Sequence, residues 1–118
     1  MTARKLKIVV VEDEALVSML IEDIVADLGH EVVGVAARIE EGAALAESTE
    51  ADFAVVDLNL NGARTFRIAE IFRRRGVPFM FVTGYGAAGL SEEWRDEVVL
   101  QKPFEVDQFA AALERAAH

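Results

Sequence analysis

Three short stretches of this chain are apolar and rich in β-branched residues, and each ends on a charge. Ile8-Val9-Val10-Val11 runs into Glu12-Asp13, Phe53-Ala54-Val55-Val56 into Asp57, and Val98-Val99-Leu100-Gln101 into Lys102-Pro103. Short apolar runs without polar alternation fit strands covered on both faces, as in parallel sheets. A charge at the end of such a strand falls at the sheet edge where α/β proteins place their ligands. Three carboxylates and a lysine on neighbouring strands therefore converge. The pattern commits the chain to an α/β fold with a charged site.

The intervening sequence supplies the crossovers. Leu16, Met19, Leu20, Ile24 and Leu28 recur at three- and four-residue spacing, which predicts a helix that Gly29 stops. Val32 to Ala36 is a second strand, and residues 39–47 form a short alanine-rich helix. After the third strand, Asn59-Leu60-Asn61-Gly62 is turn chemistry, and a helix over about 64–75 ends at Gly76. Phe79 to Thr83 is a fourth strand, followed by a glycine-rich loop over 84–89. Ser91 can cap a short helix carrying Glu92 and Glu93 in its first turn. The fifth strand covers 98–101, and a helix over 105–117 turns Phe109 and Leu113 inward.

Strands and helices alternating over short connections demand a parallel sheet with helices on both faces and right-handed crossovers. The flavodoxin-like, doubly wound order 2-1-3-4-5 is the common solution for five strands, with its switch point between the first and third. Glu12, Asp13 and Asp57 then lie at that crevice.

Several function classes drop out. The length fits one domain over residues 1–118. A net charge of −9 argues against a nucleic-acid partner. With no cysteine there is neither a disulfide nor a thiolate metal site, and His30 and His118 have no partners at ligand spacing. The four-residue apolar run after Met1 to Lys7 is too short for a signal peptide, and no stretch approaches a membrane span. The expected location is cytoplasmic, with no membrane contact.

Gly84-Tyr85-Gly86-Ala87-Ala88-Gly89 spells the dinucleotide fingerprint, but the next strand ends in Gln101-Lys102 rather than in an acid. A loop beside the site is the better reading. Arg64, Arg67 and Arg73-Arg74-Arg75 give the third helix a basic side, by default solvated.

Taken jointly and in order, Glu12-Asp13, Asp57, Thr83 and Lys102-Pro103 resemble the receiver domain of two-component response regulators, over essentially the whole chain. The resemblance implies that Asp57 takes a phosphoryl group from a histidine kinase or a phosphotransfer protein. It implies Mg²⁺ as cofactor, held by Glu12, Asp13, Asp57 and the backbone carbonyl of Asn59. Lys102 would pair with the phosphoryl oxygens, and the Thr83 hydroxyl would move to bond them. Such a domain is a signalling element rather than an enzyme, though it assists its own phosphorylation and dephosphorylation. Phosphorylation would alter contacts with a downstream target protein.

The chemistry explains the residue types. A carboxylate attacks a phosphoryl group poorly because both are negative, and two further acids worsen the repulsion. A hard cation with oxygen ligands reverses the sign of that problem, and a lysine adds a compact positive charge.

The chain departs from the usual receiver pattern at four positions. Glu12 stands where aspartate is more usual, and Asn61 and Thr65 stand where many receivers have proline and glycine. Val99 replaces the tyrosine or phenylalanine whose rotation usually reports phosphorylation. Phe81-Val82-Thr83-Gly84-Tyr85 instead resembles the Phe-Ala-Thr-Gly-aromatic motif of an atypical, often single-domain subgroup. Tyr85, between Gly84 and Gly86, is then expected to carry the switch in place of position 99.

The expectation is a stand-alone receiver acting through protein–protein contacts, as a direct effector or as a relay or sink. Its kinase surface would be the first helix with the 102–105 loop, and its target surface the residues around Trp94 and the last helix. Two rivals are a degenerate receiver acting as a constitutive interaction module and an α/β phosphatase. The latter needs a second acid two residues after Asp57, where Asn59 stands, or a phosphate loop of the form GxxxxGK[ST], which the sequence lacks.

Overall fold

A computed structural model describes residues 4–84 and 90–117. The chain forms β1 (Lys7–Val11), α1 (Ala15–Asp27), β2 (Glu31–Ala36), α2 (Ile39–Ser48) and β3 (Phe53–Asp57). A small hairpin follows, β4 (Asn59–Leu60) and β5 (Ala63–Arg64), then α3 (Phe66–Arg74), β6 (Phe79–Thr83), β7 (Val99–Gln101) and α4 (Val106–Ala117). The main sheet has five parallel strands in the order β2-β1-β3-β6-β7. With the hairpin strands set aside, this is the flavodoxin-like order expected from the sequence.

Alternation along the strands divides the core into two layers. Val9, Val11, Ala54, Val56, Phe79 and Phe81 face one side, where α2 and α3 supply Ala43, Ala46, Ile68, Ala69 and Phe72. Ile8, Val10, Phe53, Val55, Met80 and Val82 face the other, where Ile21, Ile24 and Val25 of α1 meet Phe109 and Leu113 of α4. Gly29 and Gly76 stop α1 and α3 with φ of +87° and +74°, as the sequence predicts.

Two local expectations change. The face that α1 buries is Ser18, Ile21, Ile24 and Val25, while Leu16, Met19 and Leu20 are exposed by 80%, 59% and 43%. The helix carries two apolar stripes, and the sheet takes the one running through Val17, Ile21, Ile24 and Leu28. Residues 91–97 form successive i→i+3 turns, Trp94 N–H to Ser91 O at 3.1 Å and Glu97 N–H to Trp94 O at 3.1 Å, rather than a capped α-helix. Trp94 fixes that segment by turning inward.

Trp94 itself is 3% exposed, so any target surface around it is made by its neighbours. It stacks on Phe66 at 5.3 Å and meets Phe81 edge-on at 5.7 Å. Arg73 covers the indole at 4.0 Å and pairs with Glu97 at 2.7 Å. The basic side of α3 is therefore partly engaged within the fold: Arg67 pairs with Glu40 at 2.8 Å and Arg74 with Glu47 at 2.6 Å, both on α2.

Candidate functional site

Every strand-end charge singled out by the sequence lies at the C-terminal edge of the sheet. Asp57 is the last residue of β3 and is 4% exposed. Its Oδ1 accepts from the Asn59 amide at 3.0 Å, and its Oδ2 lies 3.1 Å from Lys102 Nζ. Glu12 follows β1 and is 2% exposed, its amide tied to Ala36 O at 2.9 Å. Its Oε2 accepts from the Glu14 amide at 3.0 Å, and its Oε1 sits 3.0 Å from Lys102 Nζ without a well-aligned hydrogen bond. Thr83 ends β6, is 3% exposed, and gives its carbonyl to the Lys102 amide at 2.8 Å. That bond fixes where the lysine leaves the sheet, and the Lys102-Pro103 peptide beyond it is cis.

The loop after Asp57 explains two departures noted in the sequence. Asn61 and Gly62 take φ of +51° and +89°, the paired positive values a type I′ hairpin turn requires. Asparagine and glycine tolerate that conformation where proline would not. The Asn61 amide then donates to Asp13 Oδ2 at 2.9 Å, and the Gly62 amide to Asn59 Oδ1 at 2.8 Å. Thr65, fully buried, donates its hydroxyl to Asp57 O at 2.6 Å. A glycine there could not make this bond. The loop thus binds both the end of β3 and the neighbouring acid.

Val99 pairs with Phe81 across β6 and β7 and packs against the core layer that contains Trp94. Tyr85 lies outside the described residues. Glu14 was not anticipated: its carboxylate reaches Lys102 Nζ at 3.1 Å. The signal for it was present, an acid directly after Glu12-Asp13 at the start of a predicted helix.

One ammonium therefore faces three carboxylates. Burial first, and then the neighbouring Asp57 carboxylate, push Glu12 from an ordinary 4.5 up to about 7, against the Glu14 amide and Lys102. For Lys102, burial favours the neutral amine, but Glu12 and Asp57 together outweigh it and hold the ammonium above its usual value. Oxygens of Glu12, Asp13, Glu14 and Asp57 all lie within 4.8 Å of one another, an arrangement able to hold a metal ion.

The raised Glu12 value carries a sign. The native state binds this proton more tightly than the unfolded chain does, so its contribution to stability is full below about 4.5 and is lost as pH rises to about 7. Thermal midpoints in chelator are expected to fall more steeply over that window for wild type than for Glu12→Gln. Parallel curves for the two proteins would exclude Glu12 as the titrating group.

A family model described as the response regulator receiver domain matches residues 8–114. The chain is 30% identical over 114 residues to the transcriptional regulatory protein PdtaR of Mycobacterium tuberculosis, covering 93% of this chain and 56% of that protein. It is equally, 30%, identical over 114 residues to the phyllosphere-induced regulator PhyR of Methylorubrum extorquens, covering 93% of this chain and 43% of that protein. The chain spans about half the length of these curated relatives. Among solved structures, SdrG of Sphingomonas melonis Fr1 matches with a TM-score of 0.87 at 35% identity over 100% of both chains. Among the described residues, no helix is long and apolar enough to cross a membrane.

Proposed function

The chain belongs to the response regulator receiver domain family, and from that premise we propose that it is a phosphoacceptor whose Asp57 takes a phosphoryl group with Mg²⁺. The observation that carries this reading is the meeting of buried Glu12 and Asp57 on one Lys102 ammonium, at 3.0 and 3.1 Å. A phosphatase would lack its second acid at Asn59. A purely constitutive module would not require buried acids around an ammonium.

Mg²⁺ fits the donors present. Glu12 Oε1 is buried without a hydrogen bond, and Glu12, Asp13 and Asp57 offer closely spaced hard oxygens. Glu12, Asp13 and Asp57, with the Asn59 carbonyl, would hold the ion; bound there, it supplies positive charge against the negative phosphoryl oxygens. An Asp57 oxygen forms the new bond to phosphorus as the bond to the donor's leaving group breaks, its electron pair departing with that group. Lys102 neutralises charge from the other side, and the Thr83 hydroxyl, on the next strand end, serves as a donor to the phosphoryl oxygens.

Intact-mass measurement after incubation with Mg²⁺ and a small acyl phosphate tests the reading. The expected result is a gain of one phosphoryl group that chelator prevents. No gain from that donor or from any histidine kinase would overturn it.

The partner class follows from the surface next to the site. Leu16, Met19 and Leu20 of α1 and Val106 of α4 are exposed large apolar side chains on elements that begin just beyond Glu14 and Glu105. They form the docking face for a histidine kinase or phosphotransfer protein. Leu16→Asp with Met19→Asp is expected to slow transfer from such a protein at least about tenfold, the cost of one or two lost apolar anchors. Phosphorylation by the small donor should be unaffected; equal slowing of both routes would count against the docking role.

Residues 1–118 act here as one receiver unit whose phosphorylation changes its contacts with a target protein. The Phe81-Val82-Thr83-Gly84-Tyr85 segment supports membership of the atypical motif subgroup, and Val99, with no ring to rotate, supports a switch carried by Tyr85.

A further inference from the structure

Glu14 occupies the N-cap position of α1, with φ −89° and ψ 111°. A side chain there ordinarily bonds the free amides of the first turn. That of Glu14 makes no such bond. Its carboxylate turns instead to the Lys102 ammonium, at 3.1 Å.

An ammonium has three N–H donors. Those of Lys102 face three carboxylates, Glu12 at 3.2 Å, Asp57 at 3.1 Å and Glu14 at 3.1 Å. A phosphoryl oxygen can be bonded only by taking a donor from one of them. The partners are unequal. The Glu12 side chain is 1% exposed, and removing the ammonium strands its charge away from water. Asp57 is itself the acceptor. The Glu14 side chain is 62% exposed, so water rehydrates it readily. Its charge also opposes loading, because an oxygen of Glu14 lies within 4.8 Å of one of Asp57, where an anionic donor must arrive.

We propose that Glu14 is a positioning residue that holds the Lys102 ammonium in competition with the phosphoryl group and releases it when that group binds. This deepens the phosphoacceptor reading and rests on it. Glu14 slows loading and weakens the loaded state, while the covalent step at Asp57 is unchanged.

Beryllofluoride with Mg²⁺, an imitation of a carboxylate-bound phosphoryl group, is the probe. Glu14→Gln and Glu14→Ala are expected to bind it about threefold to tenfold more tightly than wild type. The ¹⁵N signal of the Lys102 ammonium should already be shifted in both variants before the probe is added. No cap bond is lost, so both should unfold near the wild-type temperature. Affinities within twofold of wild type, or an unmoved Lys102 signal, would overturn the proposal. If wild type neither binds beryllofluoride nor gains a phosphoryl group, the phosphoacceptor reading itself fails.

Discussion

Asp57→Ala is expected to remove the phosphoryl mass gain completely while the protein stays folded. The substitution deletes the carboxylate that ends the central strand β3 and faces Lys102 directly. It forfeits the bond from the Asn59 amide, worth about 1 kcal/mol. It also relieves repulsion among the clustered acids, so the net change in stability is small. A second readout accompanies the first. Asp57 is one of the influences that raise Glu12 to about 7, and its removal should bring the Glu12 titration, followed by carboxyl NMR, to lower pH. A mass gain retained in Asp57→Ala would mean that the phosphoryl group is carried elsewhere.

Lys102→Met should have the largest effect on stability. Methionine fills similar space but leaves Glu12 and Asp57 buried without a counter-charge. Removing one partner of a largely buried ion pair costs about 3 kcal/mol. The Lys102 side chain is 14% exposed, close enough to the buried case for that figure to apply. The cost should shrink as pH falls, because Glu12 then takes a proton, and does so at higher pH than in wild type once Lys102 no longer holds its value down. Mg²⁺ should stabilise the variant more than it stabilises wild type, since it supplies the missing positive charge. Denaturant unfolding with and without Mg²⁺ checks both statements. An unchanged midpoint in chelator at pH 8 would show that the ammonium does not hold the acids together.

The strand order and the convergence of Glu12, Asp13, Asp57 and Lys102 were legible in the sequence because both follow from period and chain order. Apolar runs that end on charges specify buried strands and their edges without any knowledge of side-chain contacts. The buried face of α1 was harder to read. Leu16, Met19 and Leu20 match helical spacing as well as Ile21, Ile24 and Val25 do, and Ser18 interrupts the buried stripe. Periodicity alone cannot say which of two apolar stripes a sheet will cover.

The 91–97 segment escapes local signals for a related reason. A capping serine and first-turn acids are local signals, whereas the inward Trp94 responds to Phe66, Phe81 and Arg73 from distant parts of the chain. Thr65 was visible only as a departure from a pattern. Its bond to the carbonyl of Asp57 depends on the tight Asn61-Gly62 turn, which brings residues eight positions apart back together. Glu14 does not stand out in the sequence because an acid at a helix start has an ordinary explanation, and only its 3.1 Å distance to Lys102 removes it.

The aromatic cluster has an optical consequence. Trp94 is the chain's single tryptophan, and Phe66, on which it stacks, directly follows the residue whose hydroxyl grips the Asp57 carbonyl. An indole enclosed by rings and a guanidinium emits according to that enclosure. A shift of the Asp57 backbone is expected to reach, over two covalently adjacent residues, a fluorophore the protein already owns. If Asp57 takes a phosphoryl group as proposed, its loading is expected to change the emission of the native chain, with no dye attached.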